Sequence, residues 1–128
     1  MSDGKPVAIG SMEELNELFK NTTYVVVDFY ADWCGPCKQI APRLELLASR
    51  HNLPGFFAVA KVNVDHARDV AASYRISAMP TFMFFKEGRQ VAVNGNAYIQ
   101  GANLPVLEDA VKKLGALAQK KQIEAAAL

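Results

Sequence analysis

The sequence predicts a single α/β domain, a three-layer α/β/α arrangement in which a central mixed five-stranded sheet is flanked by four helices. Three observations carry that expectation. Continuous β-branched and aromatic runs alternate with amphipathic stretches, the pattern of strands buried between covering helices. The last two strands flank the short turn Lys86-Glu87-Gly88-Arg89, so the sheet ends in an antiparallel hairpin. The 128 residues, 51% hydrophobic and 21% charged, are enough for one good core.

Val7-Ala8-Ile9 is a short apolar run that opens the chain's pattern. Gly10 then turns, and Ser11-Met12-Glu13-Glu14 reads as a capping box with Ser11 at N-cap and Glu14 at N3, predicting a helix to about Lys20. Asn21-Thr22-Thr23 ends it. Tyr24 to Tyr30 is a strand apolar on both faces, apart from Asp28, an acid where a hydrophobic residue is expected. After Cys34, Ile40, Leu44, Leu47 and Ala48 fall on one helical face up to His51-Asn52, with Pro42 inside where a kink is expected.

Phe56 to Val64 forms the next strand, again carrying one charge, Lys61, and His66 to Tyr74 a short helix. Ser77-Ala78-Met79-Pro80 leads into the strand Thr81 to Phe85, and the turn returns the chain as Gln90 to Val93. From Asn103, with Pro105 in the first turn, Leu104, Leu107, Val111, Leu114 and Leu117 recur at helical spacing, with Lys112, Lys113, Lys120 and Lys121 towards the exposed end. The order is β-α-β-α-β-α-β-β-α, parallel in its early crossovers. His51 and His66, at element ends, are expected on the surface.

A formal net charge of +1 leaves no basic footprint for nucleic acid and no charge run for a membrane surface. Met1 to Gly10 has neither the basic start nor the apolar run of a signal peptide, and no stretch is long and apolar enough to span a bilayer. A cytoplasmic, reducing setting and a monomer are the expectations. Two cysteines in that setting are poorly explained as a structural staple. A loop of about four residues yields roughly 2 kcal/mol of chain-entropy stabilisation, against about 4.7 for a hundred-residue loop. Nor do they suggest a metal. Cys34, Cys37 and His51 come near finger spacing, but the chain between His51 and His66 reads as strand.

Chemistry is the better account of the pair. The loop Ala31-Asp32-Trp33 delivers Cys34 from a strand end to a helix start, where free N–H groups and the dipole favour a thiolate and lower the thiol pKa. Cys37 lies one turn later on the same face, placed to attack a mixed disulfide at Cys34. Cys34 is read as nucleophile, Cys37 as resolver. The uncharged Gly35-Pro36 spacer holds no histidine to stabilise the thiolate further, which favours reduction of substrates. Asp28, if buried, has a raised pKa and can accept the Cys37 proton, with Lys61 as a neighbouring charge.

Val27-Asp28-Phe29-Tyr30-Ala31-Asp32-Trp33-Cys34-Gly35-Pro36-Cys37-Lys38 closely resembles the active-site stretch of the thioredoxin family. Ile40-Ala41-Pro42, Lys61-Val62-Asn63-Val64-Asp65, Met79-Pro80-Thr81-Phe82 and Gly101-Ala102 resemble further family segments in the same order, from about Val7 to Leu114. The resemblance implies a thioredoxin domain over residues 1–114, with 115–128 as a helical extension or tail. It implies a protein-disulfide reductase with Cys34–Cys37 as its redox disulfide and no bound cofactor. Electrons would come from NADPH through thioredoxin reductase and go to disulfide-containing proteins such as peroxiredoxins. It also implies that Met79, before a cis Pro80, offers backbone groups to an extended substrate, while Trp33, Gly35, Pro36, Gly101 and Ala102 line the groove.

Rival readings are plain packing for Trp33, a simple turn at Met79-Pro80, and a redox-switched partner-binding module for the whole chain. Three features depart from the family pattern: Tyr30 where many members have tryptophan, a long last hairpin from Ala92 to Gln100, and the extension from Gly115 to Leu128. The hairpin and tail suggest a fungal member.

Overall fold

A computed structural model describes residues 4–127. Met1 to Asp3, the start of the stretch read for a signal peptide, and Leu128, the end of the tail, lie outside the described residues. The elements are β1 (Val7–Ile9), α1 (Met12–Asn21), β2 (Tyr24–Tyr30), α2 (Gly35–His51), β3 (Phe57–Asn63), α3 (Arg68–Ser73), β4 (Thr81–Lys86), β5 (Arg89–Val91), β6 (Tyr98–Gln100) and α4 (Leu104–Ala126). Ser11 caps α1, its side chain accepting from the Glu14 N–H at 3.2 Å. The reciprocal bond lands on the Gly10 N–H, which donates to Glu14 Oε2 at 2.9 Å, so the box closes one residue earlier than the standard form. Pro42 is accommodated within α2, which runs unbroken past it.

The sheet order is β1-β3-β2-β4-β5, with β6 also on β4. β3 runs parallel to β1 and β2, whereas β4 is antiparallel to β2, and β5 and β6 are antiparallel to β4. β2 is therefore central, buried on both faces from Tyr24 to Phe29, which explains its unbroken apolar run. Val26, Leu44, Phe57, Phe82, Phe84, Leu107 and Val111 belong to the core under α2 and α4. Leu15, Phe19, Val25, Val27, Phe29, Val70 and Phe85 form the core on the opposite face.

Three expectations need correction. The fifth strand is broken in two, and the sheet has six strand segments in five positions. β5 pairs with Phe84 to Lys86, β6 with Thr81 to Met83, and the chain between them turns at Asn94-Gly95, both at positive φ (51° and 83°). Ile99 alone of β6 is buried, so the segment gains its place through one inward side chain. The short helix begins at Arg68, not His66, because the His66 and Ala67 N–H groups both donate to the Asn63 carbonyl in a turn.

The third correction concerns His51, which is half-buried, while His66 is exposed as expected. The His51 ring meets Phe57 edge-on at 6.4 Å, and a Cβ on Gly115 would stand 2.6 Å from its Nδ1. Glycine inside a helix costs about 1 kcal/mol relative to alanine. Here it lets α4 cross closely over the end of α2. The His51 Nε2 is buried without a hydrogen-bond partner, and burial, helped by Arg50 and Lys112, pushes its pKa down.

Candidate active site

The end of β2 and the following loop bring Cys34 to the N-cap of α2, with Pro36 in the first turn. Cys34 and Cys37 are joined in a disulfide, 4% and 6% exposed. The Cys37 N–H donates to Cys34 Sγ at 3.2 Å, one of the otherwise unpaired amides at the start of the helix. In the dithiol form the same amide and the helix dipole favour a Cys34 thiolate. Gly35 and Pro36 are exposed beside the pair.

The peptide bond between Met79 and Pro80 is cis, and the Met79 carbonyl oxygen lies 3.6 Å from Cys34 Sγ. Two hydrogen bonds shape that loop: Thr81 Oγ1 donates to the Ala78 carbonyl at 2.6 Å and the Gly101 N–H to the Pro80 carbonyl at 2.8 Å. Gly101 takes a φ of 90°, which a side chain would strain. The structure thus joins Met79-Pro80 to Cys34 and to Gly101, with Ala102 exposed just after. Trp33 is 68% exposed, so plain packing fails as its explanation. Its indole N–H donates to Asp65 Oδ2 at 3.0 Å, which fixes the ring on the surface next to Cys34.

Beneath the disulfide, a cavity of about 370 Å³ is lined by Asp28, Tyr30, Asp32, Cys37, Lys38 and Lys61, among others. Asp28 is 3% exposed and its Oδ1 has no hydrogen-bond partner. Burial raises its pKa to about 7, opposed by the charge of Lys61, its register partner on β3. The ammonium of the half-buried Lys61 lies 4.4 Å from the centre of the Tyr30 ring. A group with this proton affinity, sharing a cavity with Cys37, is suited to take and return a proton near neutral pH.

The sequence marks Asp28 and Lys61 as site residues, whereas Asp65, which anchors Trp33, and Tyr30, a departure from the family pattern, carry no site role there. The available signal was positional. Asp28 and Tyr30 are two residues apart on one strand, Lys61 and Asn63 two apart on the next, so each pair shares a face.

The family model for thioredoxin matches residues 7–113. The chain belongs to the thioredoxin family. It is 61% identical over 113 residues to a thioredoxin-like protein of Fusarium culmorum, covering 88% of this chain and 93% of that one. It is 54% identical over 121 residues to a thioredoxin of Neurospora crassa, covering 94% of each. Both relatives are fungal, in line with the sequence reading. The fold also matches a chain from a structural study of how yeast mitochondrial 1-Cys peroxiredoxin is resolved via glutathione/thioredoxin systems. That match has a TM-score of 0.73 and 33% identity, covering 88% of this chain and 99% of that one.

This thioredoxin-family chain is accordingly a thiol-disulfide oxidoreductase, a protein-disulfide reductase working through the redox-active Cys34–Cys37 disulfide. The binding-module alternative is not favoured, since the chain carries the complete cysteine pair in its family setting. Among the described residues, no group of three or more His, Cys, Asp or Glu is placed to hold a metal, and no helix is long and apolar enough to cross a membrane.

Proposed function

We propose that this thioredoxin reduces protein disulfides in the cytoplasm as a monomer, with Cys34 attacking, Cys37 resolving and Asp28 taking the Cys37 proton. The observation that carries the reading is the Cys34–Cys37 pair at the start of α2, with Cys37 and Asp28 on one cavity. The Cys34 thiolate attacks one sulfur of a substrate disulfide, and the other substrate sulfur leaves as a thiolate. Asp28 accepts the Cys37 proton across the cavity. The Cys37 thiolate then attacks Cys34 Sγ, forming the intramolecular disulfide and releasing the second substrate thiolate. Two electrons pass to the substrate, and Lys61 is a neighbouring charge on the same cavity.

Trp33, Gly35, Pro36, Met79, Pro80, Gly101 and Ala102 form the proposed groove for the substrate chain. The exposure of Trp33, Gly35, Pro36 and Ala102 supports this, as does the Gly101 tie to Pro80. The electrons come from NADPH through a thioredoxin reductase, as is general for the family, so the chain acts as an electron-transport link. Peroxiredoxins are proposed substrates, a reading supported by the likeness to the chain from the peroxiredoxin study.

The test is reduction of insulin disulfides driven by NADPH and thioredoxin reductase. NADPH consumption with insulin precipitation is expected, and a Cys34→Ser variant should fall to background. Wild-type activity no higher than that variant would overturn the reading.

A further inference from the structure

Asp28 shares its strand face with Tyr30, and the parallel register sets Asp28 beside Lys61 and Tyr30 beside Asn63. Lys61 Nζ lies 4.4 Å from the centre of the Tyr30 ring, the distance of a cation–π contact. Asn63 is the register partner of Tyr30 on β3. Asn63 Oδ1 accepts the Asp65 N–H at 3.0 Å, and Asp65 Oδ2 accepts the Trp33 indole N–H at 3.0 Å. Asn63 is buried, so the amide beside Tyr30 is itself held in the fold.

Lys61 therefore stands over an aromatic face, and no ion pair joins it to Asp28 among the described residues, where the ion pair formed is Arg43 with Glu108. The distinction matters for the chemistry. A cation in direct contact with a carboxylate lowers its pKa by about one to three units and holds it ionised. A carboxylate held in that way is a weak proton acceptor for a thiol.

We propose that Tyr30 is a positioning residue: its ring holds the Lys61 ammonium away from Asp28, which leaves the Asp28 carboxylate free to take the Cys37 proton. The raised pKa of Asp28 agrees with this arrangement, since burial outweighs the Lys61 charge. The groups facing Asp28 across the cavity are Tyr30 of its own strand, Lys61 of β3, Asp32 of the loop, and Cys37 and Lys38 of α2. Among the cations, Lys61 is its register partner, so it is the one that ring placement controls. The residue that departs from the family's frequent tryptophan thus acquires a defined task. The inference rests on the proton-accepting role proposed for Asp28.

The experiment compares wild type, Tyr30→Phe, Tyr30→Leu and Asp28→Asn. Carbon NMR follows the Asp28 carboxyl titration in the oxidised protein, and single-turnover kinetics gives the pH profile of mixed-disulfide resolution at Cys34. Tyr30→Phe keeps the ring and should reproduce the wild-type titration. Tyr30→Leu should move the Asp28 titration to lower pH by about one to three units, as Lys61 closes on the carboxylate, and lower the resolution rate at high pH. Adding Tyr30→Leu to Lys61→Met should have no further effect on either readout.

A Tyr30→Leu protein with the wild-type titration, or a Tyr30→Phe protein that titrates like Tyr30→Leu, overturns the proposal. Failure of the underlying reading looks different, since the Asp28→Asn resolution profile would then match wild type. If Tyr30→Leu does not fold, Tyr30→Met removes the ring with less loss of volume and is judged by the same two readouts.

Discussion

Near the start of α2, Asp28 lies beneath Cys37, 3% exposed, with Oδ1 unpartnered; at its far end His51 is half-buried under α4, with Nε2 unpartnered. Burial drives both towards their neutral forms, raising the carboxyl to about 7 and lowering the imidazole. The surroundings differ. Asp28 opens on a cavity of about 370 Å³ shared with a reactive sulfur, so its proton can be exchanged during turnover. His51 meets Phe57 and the bare backbone of Gly115, so its neutral form serves packing. The same desolvation becomes chemistry only where the buried group has space and a reacting partner.

The largest effects test the chemical end of α2. Cys34→Ser should abolish insulin reduction, while Cys37→Ser should still attack substrate but accumulate a mixed disulfide on Cys34, detected as an added substrate mass. A substrate adduct on Cys37 in the Cys34→Ser variant would reverse the assigned order.

Asp28→Asn should next raise stability above neutral pH. Folding raises the Asp28 pKa from 3.8 to about 7, so the folded protein holds the extra proton and loses stability as pH rises through that window. At about 1.4 kcal/mol per pH unit, the asparagine variant should gain on the order of 4 kcal/mol over wild type at pH 8. The gain should fade by about pH 4, and urea unfolding at the two pH values measures it. An equal gain at both would assign the effect to packing.

At the other end, Gly115→Ala sets a helix-propensity gain of about 1 kcal/mol against overpacking on His51, typically about 1–3 kcal/mol. A net loss on the order of 1 kcal/mol is expected, with insulin reduction unchanged. The double variant His51→Ala/Gly115→Ala should show less overpacking loss, read as a non-additive unfolding free energy. Altered turnover in Gly115→Ala would join the two ends and break the contrast between them.

The smallest effect is the pH response of His51 itself. Its folded-state pKa is depressed, so stability is complete above the ordinary imidazole value of 6.5 and declines as pH falls below it. His51→Phe should flatten that part of the unfolding curve between about pH 5 and 7.

What the sequence made legible was local. The apolar run from Tyr24 to Tyr30 marked a strand covered on both faces, and the acid inside it marked Asp28 as unusual. Ser11 and Glu14 marked the start of α1, and Cys34 its place at the start of α2. Non-local features stayed hidden. Tyr98 to Gln100 is only three residues with one inward side chain, too short for a periodic signal, and it becomes a strand by pairing with β4. His51 is covered because α4 runs past Leu114 and carries a glycine where the helices touch, a contact between residues 64 positions apart. The placement of Lys61 over Tyr30 depends on strand register, which spacing along one segment does not reveal.

Proton transfer from the resolving thiol to the buried carboxyl beneath the disulfide is the step on which the proposed chemistry turns. The most direct measurement is single-turnover resolution of a mixed disulfide at Cys34, followed from about pH 5 to 9 in wild type and Asp28→Asn. Wild type should show an inflection near pH 7 that disappears in the asparagine variant, together with slower resolution. Superimposable profiles with equal rates would contradict that proton transfer.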